Sequence, residues 1–195
     1  MEKTTQKELD SYFEIECKMK NQDRVIFETY ERKNELESLI YNNKEKLGSS
    51  YKNFVKPEDV QNLLTILETA NTWLYEEGQN SSKGMYVEKI DSLRPHFEPI
   101  ARRYQQAEEL KESYYLAQLA LDQLTNQLRS TDAKHSHITV EERTAGAEEI
   151  EKLKQVFANS QKLQATIAGW ENPVTSAHEV NNHVKELESV TNFLI

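Results

Sequence analysis

Residues 57–78 read Pro-Glu-Asp-Val-Gln-Asn-Leu-Leu-Thr-Ile-Leu-Glu-Thr-Ala-Asn-Thr-Trp-Leu-Tyr-Glu-Glu-Gly. Val60, Leu63, Leu64, Leu67, Ala70 and Leu74 form an apolar stripe at helical spacing, widened by Ile66 and Trp73. A stripe of this period marks a helix with one buried face. Pro57 suits the first helical position, where its missing N–H costs nothing, and Glu58 and Asp59 suit the positive end of the helix dipole. Gly78 is a natural C-cap. Leu63, Leu67, Trp73 and Leu74 are therefore expected in a core.

The same period extends outward in both directions. Leu9, Tyr12, Phe13, Ile15 and Met19 predict a modest first helix, and a longer one from about Asp23 to Lys46 or Leu47. The second half of the longer helix places Leu36, Leu39, Ile40 and Leu47 on one side, so Leu36 and Ile40 join the expected core. Its first half offers only Val25, Ile26, Phe27 and Tyr30. Helices are held mainly by packing, so this half is expected to rest on something outside the chain or to project. Gly48-Ser49-Ser50 reads as its stop.

Beyond a loop at 79–84, Tyr86, Ile90, Leu93, Phe97, Ile100 and Tyr104 alternate spacings of four and three. Pro95 and Pro99 fall inside that pattern, and each removes a helical hydrogen bond, so a kink or brief break is expected at 95–99. The pattern resumes through Leu110, Tyr114, Ala117, Leu121, Leu124 and Leu128, followed by a loop near 130–138. Thr139 with Glu142, and Ser176 with Glu179, are capping boxes that open two further helices. The first carries Ile150, Leu153, Phe157, Leu163 and Ile167 and should end at Gly169. The second carries Val180, Val184, Leu187, Val190 and Leu194. No strand alternation of useful length interrupts this series. The fold class expected is all-α, a long helix leading into an antiparallel helical bundle.

Composition narrows the function. The 195 residues are 37% hydrophobic and 29% charged, with a formal net charge of −9; mean hydropathy is −0.80. That suits amphipathic helices with much exposed surface. An acidic chain repels phosphates, which disfavours nucleic acid and acidic membranes as partners. No apolar run approaches the ~20 residues of a membrane span. The single cysteine, Cys17, excludes an intramolecular disulfide and fits a reducing compartment. The start, Met1 to Thr5, has no signal-peptide hydrophobic core.

No catalytic constellation emerges. His135-Ser136-His137 could be half a metal site, but no Cys or acidic partner stands at ligand spacing, and a solvated loop is the simpler reading. His178 and His183 lie five apart, off a shared helix face. Lys18 and Lys20 could lower the Cys17 pKa, but a passive helix cysteine is the simpler reading. Glu76-Glu77, Glu108-Glu109 and Glu148-Glu149 diverge around their helices and make no acid/base pair. Asn80-Ser81-Ser82 matches a glycosylation sequon, relevant only in the secretory pathway. Trp73 could anchor a partner, although its neighbours on the stripe favour a core role. Trp170, at a helix end, suits either a bundle cap or a binding handle. No metal ligands and no cofactor are assigned to this chain.

Several strings carry a family likeness. Arg32-Lys33-Asn34-Glu35-Leu36-Glu37 with Ile40-Tyr41 and Lys46-Leu47 resembles the lid-helix motif of the heat-shock chaperone superfamily. Tyr51, Phe54, Glu58-Asp59, Leu67-Glu68 and Trp73-Leu74-Tyr75-Glu76-Glu77-Gly78 follow in the family's order. Met85-Tyr86-Val87 with Lys89, and Pro99-Ile100 with Arg103-Tyr104, resemble the helix after it. Lys18-Met19, Gln22-Asp23, Pro173-Val174 and Lys185-Glu186-Leu187 match more loosely. The likeness covers essentially the whole chain and is densest from 32 to 104. Leu-Tyr-Glu-Glu-Gly after the tryptophan, and the helical region continuing past 104, are similar to the large, hundred-and-ten-kilodalton class. Pro95 departs from that pattern, and Val156 stands where the class has a tryptophan.

The resemblance implies a parent whose ATP-binding domain and β-sandwich lie outside this chain. Residues 1–47 would be lid helices, the first half packed on the sandwich. Residues 32–195 would form the helical bundle, with a possible sub-boundary near 130–139. The class acts as a nucleotide exchange factor for seventy-kilodalton heat-shock chaperones and holds unfolded clients. ATP would be the parent's cofactor. Partner contacts in the family include the Asn and Glu of a Lys-Asn-x-x-Glu motif, here Asn34 and Glu37; Tyr41 and Lys44 extend the same helical row. Without the resemblance, a solvated helix face is the simpler reading of Asn34 and Glu37. Two other readings stand beside it: a lid that binds unfolded clients directly, and a helical scaffold unrelated to chaperones. The resemblance implies cytoplasmic residence, with the endoplasmic-reticulum lumen as the alternative.

Overall fold

The computed structural model describes residues 5–130 and 137–191. Among them are five helices and no strand: α1 Gln6–Gly48, α2 Pro57–Tyr75, α3 Lys83–Arg129, α4 Val140–Gln164 and α5 Ala177–Thr191. The fold is all-α. Contacts divide the chain into two units, residues 1–52 with 56–99, and residues 53–55 with 100–195.

In the first unit, α1 is one unbroken helix of 43 residues, not a short helix followed by a longer one. The apolar pattern lapses between Met19 and Val25, but that interval holds no Gly or Pro, and nothing there stops the helix. A Thr5–Glu8 capping box opens it. Its last residue is Gly48, with Ser49 at the C-cap. Pro57 takes the first position of α2, and Glu58 and Asp59 lie in the first turn.

The helices of this unit share one core. Leu36 and Ile40 of α1 are buried, as are Leu63, Leu67, Ala70 and Leu74 of α2 and Tyr86, Ile90, Leu93 and Phe97 of α3. Polar pairs fix their directions. Lys44 meets Glu68, Glu37 meets Tyr75, and Lys33 meets the Gln79 carbonyl. The partner number rises as the α1 number falls, so α1 and α2 are antiparallel.

Trp73 is part-buried rather than enclosed. Its ring meets Tyr86 edge to face, centroids 6.0 Å apart, and Lys89 Nζ lies 4.8 Å from its centroid. Gly78 packs against it. A Cβ there would fall 2.7 Å from the Trp73 carbonyl oxygen and 2.8 Å from its ring. The α2 C-cap is Glu76, not Gly78. Gly78 N–H still donates to the Trp73 carbonyl at 2.6 Å, and no described glycine has positive φ. Glycine is required here by close approach, not by backbone conformation.

Pro95 and Pro99 do not break α3, which runs 47 residues through both. Both prolines are exposed, whereas Leu93, Phe97 and Ile100 are buried. The carbonyls deprived of helical donors are those of Asp91 and Pro95, on the outer side, where water can satisfy them.

The second unit is built from the later turns of α3 with α4 and α5. Leu110, Tyr114, Ala117, Leu121, Leu124 and Leu128 of α3 pack with Ile150 and Phe157 of α4 and Val180, Val184 and Leu187 of α5. Tyr114 Oη donates to Ser160 Oγ at 2.7 Å, and Lys154 Nζ meets Asp122 at 2.9 Å. These pairings make α3 and α4 antiparallel. Arg143 ties the α4 start to the α3 end through the carbonyls of Leu128, Ser130 and Ile138. Both expected capping boxes form: Thr139 with Glu142, and Ser176 with Glu179. The α4 helix ends at Gln164, before Gly169. Gly169 instead lies against the backbone of Asn53, whose oxygen would be 2.3 Å from an added Cβ.

Candidate functional site

Asn34, Glu37, Tyr41 and Lys44 lie at spacings of three and four on α1, all exposed, while Leu36 and Ile40 turn into the core. Tyr41 is 69% exposed.

Two members of the row are already engaged within the unit. Glu37 accepts a hydrogen bond from the Tyr75 hydroxyl. That bond, followed by partial desolvation and the Glu37 charge, raises the Tyr75 pKa. Lys44 Nζ lies 3.5 Å from Glu68. Both are surface interactions in high dielectric, worth little to stability. What they supply is orientation: the two α2 side chains hold Glu37 and Lys44 at the α1–α2 edge. Tyr41, between them, and Asn34, one turn before Glu37, have no such brace.

A second set of polar contacts joins another flank of α1 to α3. Lys83 Nζ donates to Glu28 at 2.9 Å, and this hydrogen bond chiefly lowers the Glu28 pKa. Arg94 meets Glu35 at 3.5 Å. The sequence alone assigns no contact to Glu28, Glu68, Tyr75 or Arg94. Each joins different helices, and no periodicity within one helix reports such pairs.

The N-terminal half of α1 presents apolar side chains to solvent. Leu9, Tyr12, Phe13, Ile15, Met19, Val25, Ile26, Phe27 and Tyr30 are each more than half exposed. Tyr12, Met19, Phe27 and Tyr30 fall on the same side of the helix as Asn34 and Tyr41. A run of this kind on one helix is the signature of an interaction face.

Elsewhere the chemistry is sparse. Among the described residues no three His, Cys, Asp or Glu groups gather as metal ligands. His137 is exposed; His135 and Ser136 lie outside the described residues. His178 meets Asn182, and His183 faces Glu186 and the Phe157 ring. Cys17 is exposed and free. Trp170 is part-buried. No described helix is long and apolar enough to cross a membrane. The glycines do not fit a triphosphate cradle: Gly78 and Gly169 are closed off by close neighbours, and the others stand singly in or at the ends of helices.

Residues 1–106 match the family model described as Hsp70 protein. The chain is 29% identical over 191 residues to heat shock 70 kDa protein 4L of Homo sapiens, covering 96% of this chain and 23% of that protein. It is 30% identical over 196 residues to the 97 kDa heat shock protein of Mesocentrotus franciscanus, covering 96% of this chain and 22% of the relative. With heat shock 70 kDa protein 14 of Arabidopsis thaliana the identity is 29% over 183 residues, 93% of this chain and 22% of the relative. The chain thus spans under a quarter of the length of these relatives. No solved structure matches it.

Proposed function

This chain belongs to the Hsp70 family, and from that premise we propose that it is the C-terminal helical region of a large heat-shock chaperone. In this reading the parent acts as a nucleotide exchange factor. Its helical region grips the nucleotide-binding domain of a seventy-kilodalton chaperone and helps keep the lobes apart, so that ADP leaves. The work here is recognition, not bond chemistry. ATP binding belongs to a domain outside this chain, and residence is cytoplasmic.

The observation that carries the proposal is the exposed row Asn34, Glu37, Tyr41 and Lys44, inside the stretch that matches the family model. Asn34 offers both a donor and an acceptor, Glu37 and Lys44 offer opposite charges, and Tyr41 offers a large contact area at low entropic cost. Tyr75 and Glu68 limit the freedom of the two charged groups, which lowers the cost of ordering them in a complex. The first half of α1 completes the reading. Residues 1–47 are lid helices, and the apolar side chains from Leu9 to Tyr30 pack on a β-sandwich of the parent.

The test belongs in the full-length parent. Release of a fluorescent ADP analogue from the partner chaperone is followed with wild type and with Asn34→Tyr combined with Glu37→Ala. The double variant is expected to fold normally and to accelerate release far less, through a steric block and a lost charged contact. Equal acceleration by both proteins removes this row from the mechanism.

A second reading is favoured by the apolar face of α1: direct holding of unfolded clients. Suppression of light scattering from an aggregating client separates the two. A holdase loses activity when Phe13, Phe27 and Tyr30 become Ser, and is indifferent to Asn34→Tyr.

A further inference from the structure

The second unit contains a cavity of about 300 Å³ that plays no part in the exchange reading. Its α3 wall carries Arg103, Ala107, Leu110, Lys111 and Tyr114, and α4 contributes Gln161 and Gln164. Phe54, Gly169, Glu171 and Pro173 close it, and all of these residues belong to that one unit.

The wall chemistry is mixed in an informative way. Phe54, Ala107, Leu110 and Pro173 are apolar. Arg103 donates through Nη2 to the Phe54 carbonyl at 3.2 Å, but its Nε is buried with no acceptor among the described residues. A buried donor without an acceptor is costly, the more so on a cation. Lys111 adds a second positive charge and has no ion pair among the described residues. Glu171 is the single opposing charge. In a chain of net charge −9, this apolar hollow has a net positive lining.

We propose that the cavity is a docking site for an acidic peptide segment of a partner protein, which seats one large apolar side chain in the hollow and sets a neighbouring carboxylate against Arg103 and Lys111. Size decides between a segment and a cofactor. Small-molecule pockets run from about 300 to 1,000 Å³, so this one is at the lower limit and fits a one-residue anchor. The cationic pair supplies the complementary charge. The inference is independent of nucleotide exchange and of the α1 edge.

The probe is a fluorescein-labelled Gly-Ser-Asp-Phe-Asp-Gly peptide, titrated with the full 195-residue chain and read by anisotropy. Saturable binding is expected. An Asn-Phe-Asn version and an Asp-Ser-Asp version should each bind at least about tenfold more weakly, the scale of one lost charge-assisted contact. Lys111→Gln should weaken binding similarly with unchanged melting, Ala107→Leu should block it by filling the hollow, and Glu171→Gln should strengthen it. Arg103→Gln also removes a bond to Phe54, so Lys111→Gln and Glu171→Gln, which lack such bonds, carry the charge test. Absence of saturable binding overturns the proposal. So does equal binding by wild type, Ala107→Leu and Lys111→Gln. Displacement of the peptide by octanoate at equal concentration would assign the hollow to a small aliphatic acid and would equally overturn it.

Discussion

Truncating Trp73 to Ala, together with adding a methyl group at Gly78, tests how the first unit is closed. An enclosed tryptophan withdraws roughly 150–250 Å² from water. Trp73 is part-buried, so at about 25 cal/mol/Å² its burial contributes about 3 kcal/mol. The edge-to-face contact with Tyr86 adds about 0.5–1.5 kcal/mol, and Lys89 over the ring about 0.5–1 kcal/mol. With partial relaxation of the neighbours, Trp73→Ala should cost about 3–5 kcal/mol. Gly78→Ala alone should cost about 1–3 kcal/mol, because the new Cβ meets both the Trp73 ring at 2.8 Å and its carbonyl oxygen at 2.7 Å. In the Trp73→Ala background the ring clash disappears and the carbonyl clash remains. Gly78→Ala should then cost less, but not nothing, which gives a non-zero coupling in a double-mutant cycle. Urea unfolding followed by amide exchange at Leu67 and Ala70 reports on this unit alone. If Trp73→Ala unfolds like wild type, the ring is a surface anchor rather than part of the core. If Gly78→Ala costs the same in both backgrounds, glycine is required for a reason other than the ring.

Three further outcomes follow from the geometry. Gly169→Ala places a methyl group 2.3 Å from the Asn53 carbonyl oxygen, a backbone atom with little freedom, and should cost about 1–3 kcal/mol with a shift in emission of the adjacent Trp170; wild-type emission and melting would refute that packing. The Glu142 carboxylate is held below its ordinary value of 4.5, mainly by the Thr139 backbone N–H and then its hydroxyl, and Glu179 by the Thr175 hydroxyl and then the Ser176 backbone N–H. A lowered folded value means that the stabilisation is present above pH 4.5 and fades as pH falls through the lowered values. Glu142→Gln with Glu179→Gln should therefore melt below wild type at neutral pH and match it in acid, and an undiminished gap in acid would refute the assignment. Pro95→Ala with Pro99→Ala should raise stability by restoring two hydrogen bonds in α3 without changing helix content by circular dichroism; a large rise in helicity would show that the prolines do interrupt the helix.

Legibility differed by the range of the interaction. The α2 stripe, Pro57 at its start and the two capping boxes are local patterns, and each appears where its residues put it. The extent of α1 was not legible, because apolar spacing reports a buried face and half of that helix has none. The prolines of α3 were misleading for a related reason: the sequence reports the lost donor but not that the freed carbonyls face water. Of the candidate edge, the order of Asn34, Glu37, Tyr41 and Lys44 along one helix could be read directly. That Tyr75 and Glu68 hold two of them could not, since residues 38 and 24 positions apart leave no periodic trace. The cavity of the second unit was invisible for the same reason, with Phe54 and Gly169 drawn together across more than a hundred residues.

The bare first half of α1 has a thermodynamic consequence. From Thr5 to Phe27 every side chain described is exposed, so the helix there is held by its own hydrogen bonds, a capping box and surface pairs such as Glu16–Lys20. Most helical stability in proteins comes from packing of an apolar face, which this segment lacks. Amide protection should therefore decline steadily from Leu36 toward the N-terminus. Any body that settles on Leu9 to Tyr30 supplies the missing packing, and its binding free energy is spent in part on completing the helix. Attachment and detachment at this end would then be reported as winding and unwinding, sensed by a protease long before a change elsewhere in the chain.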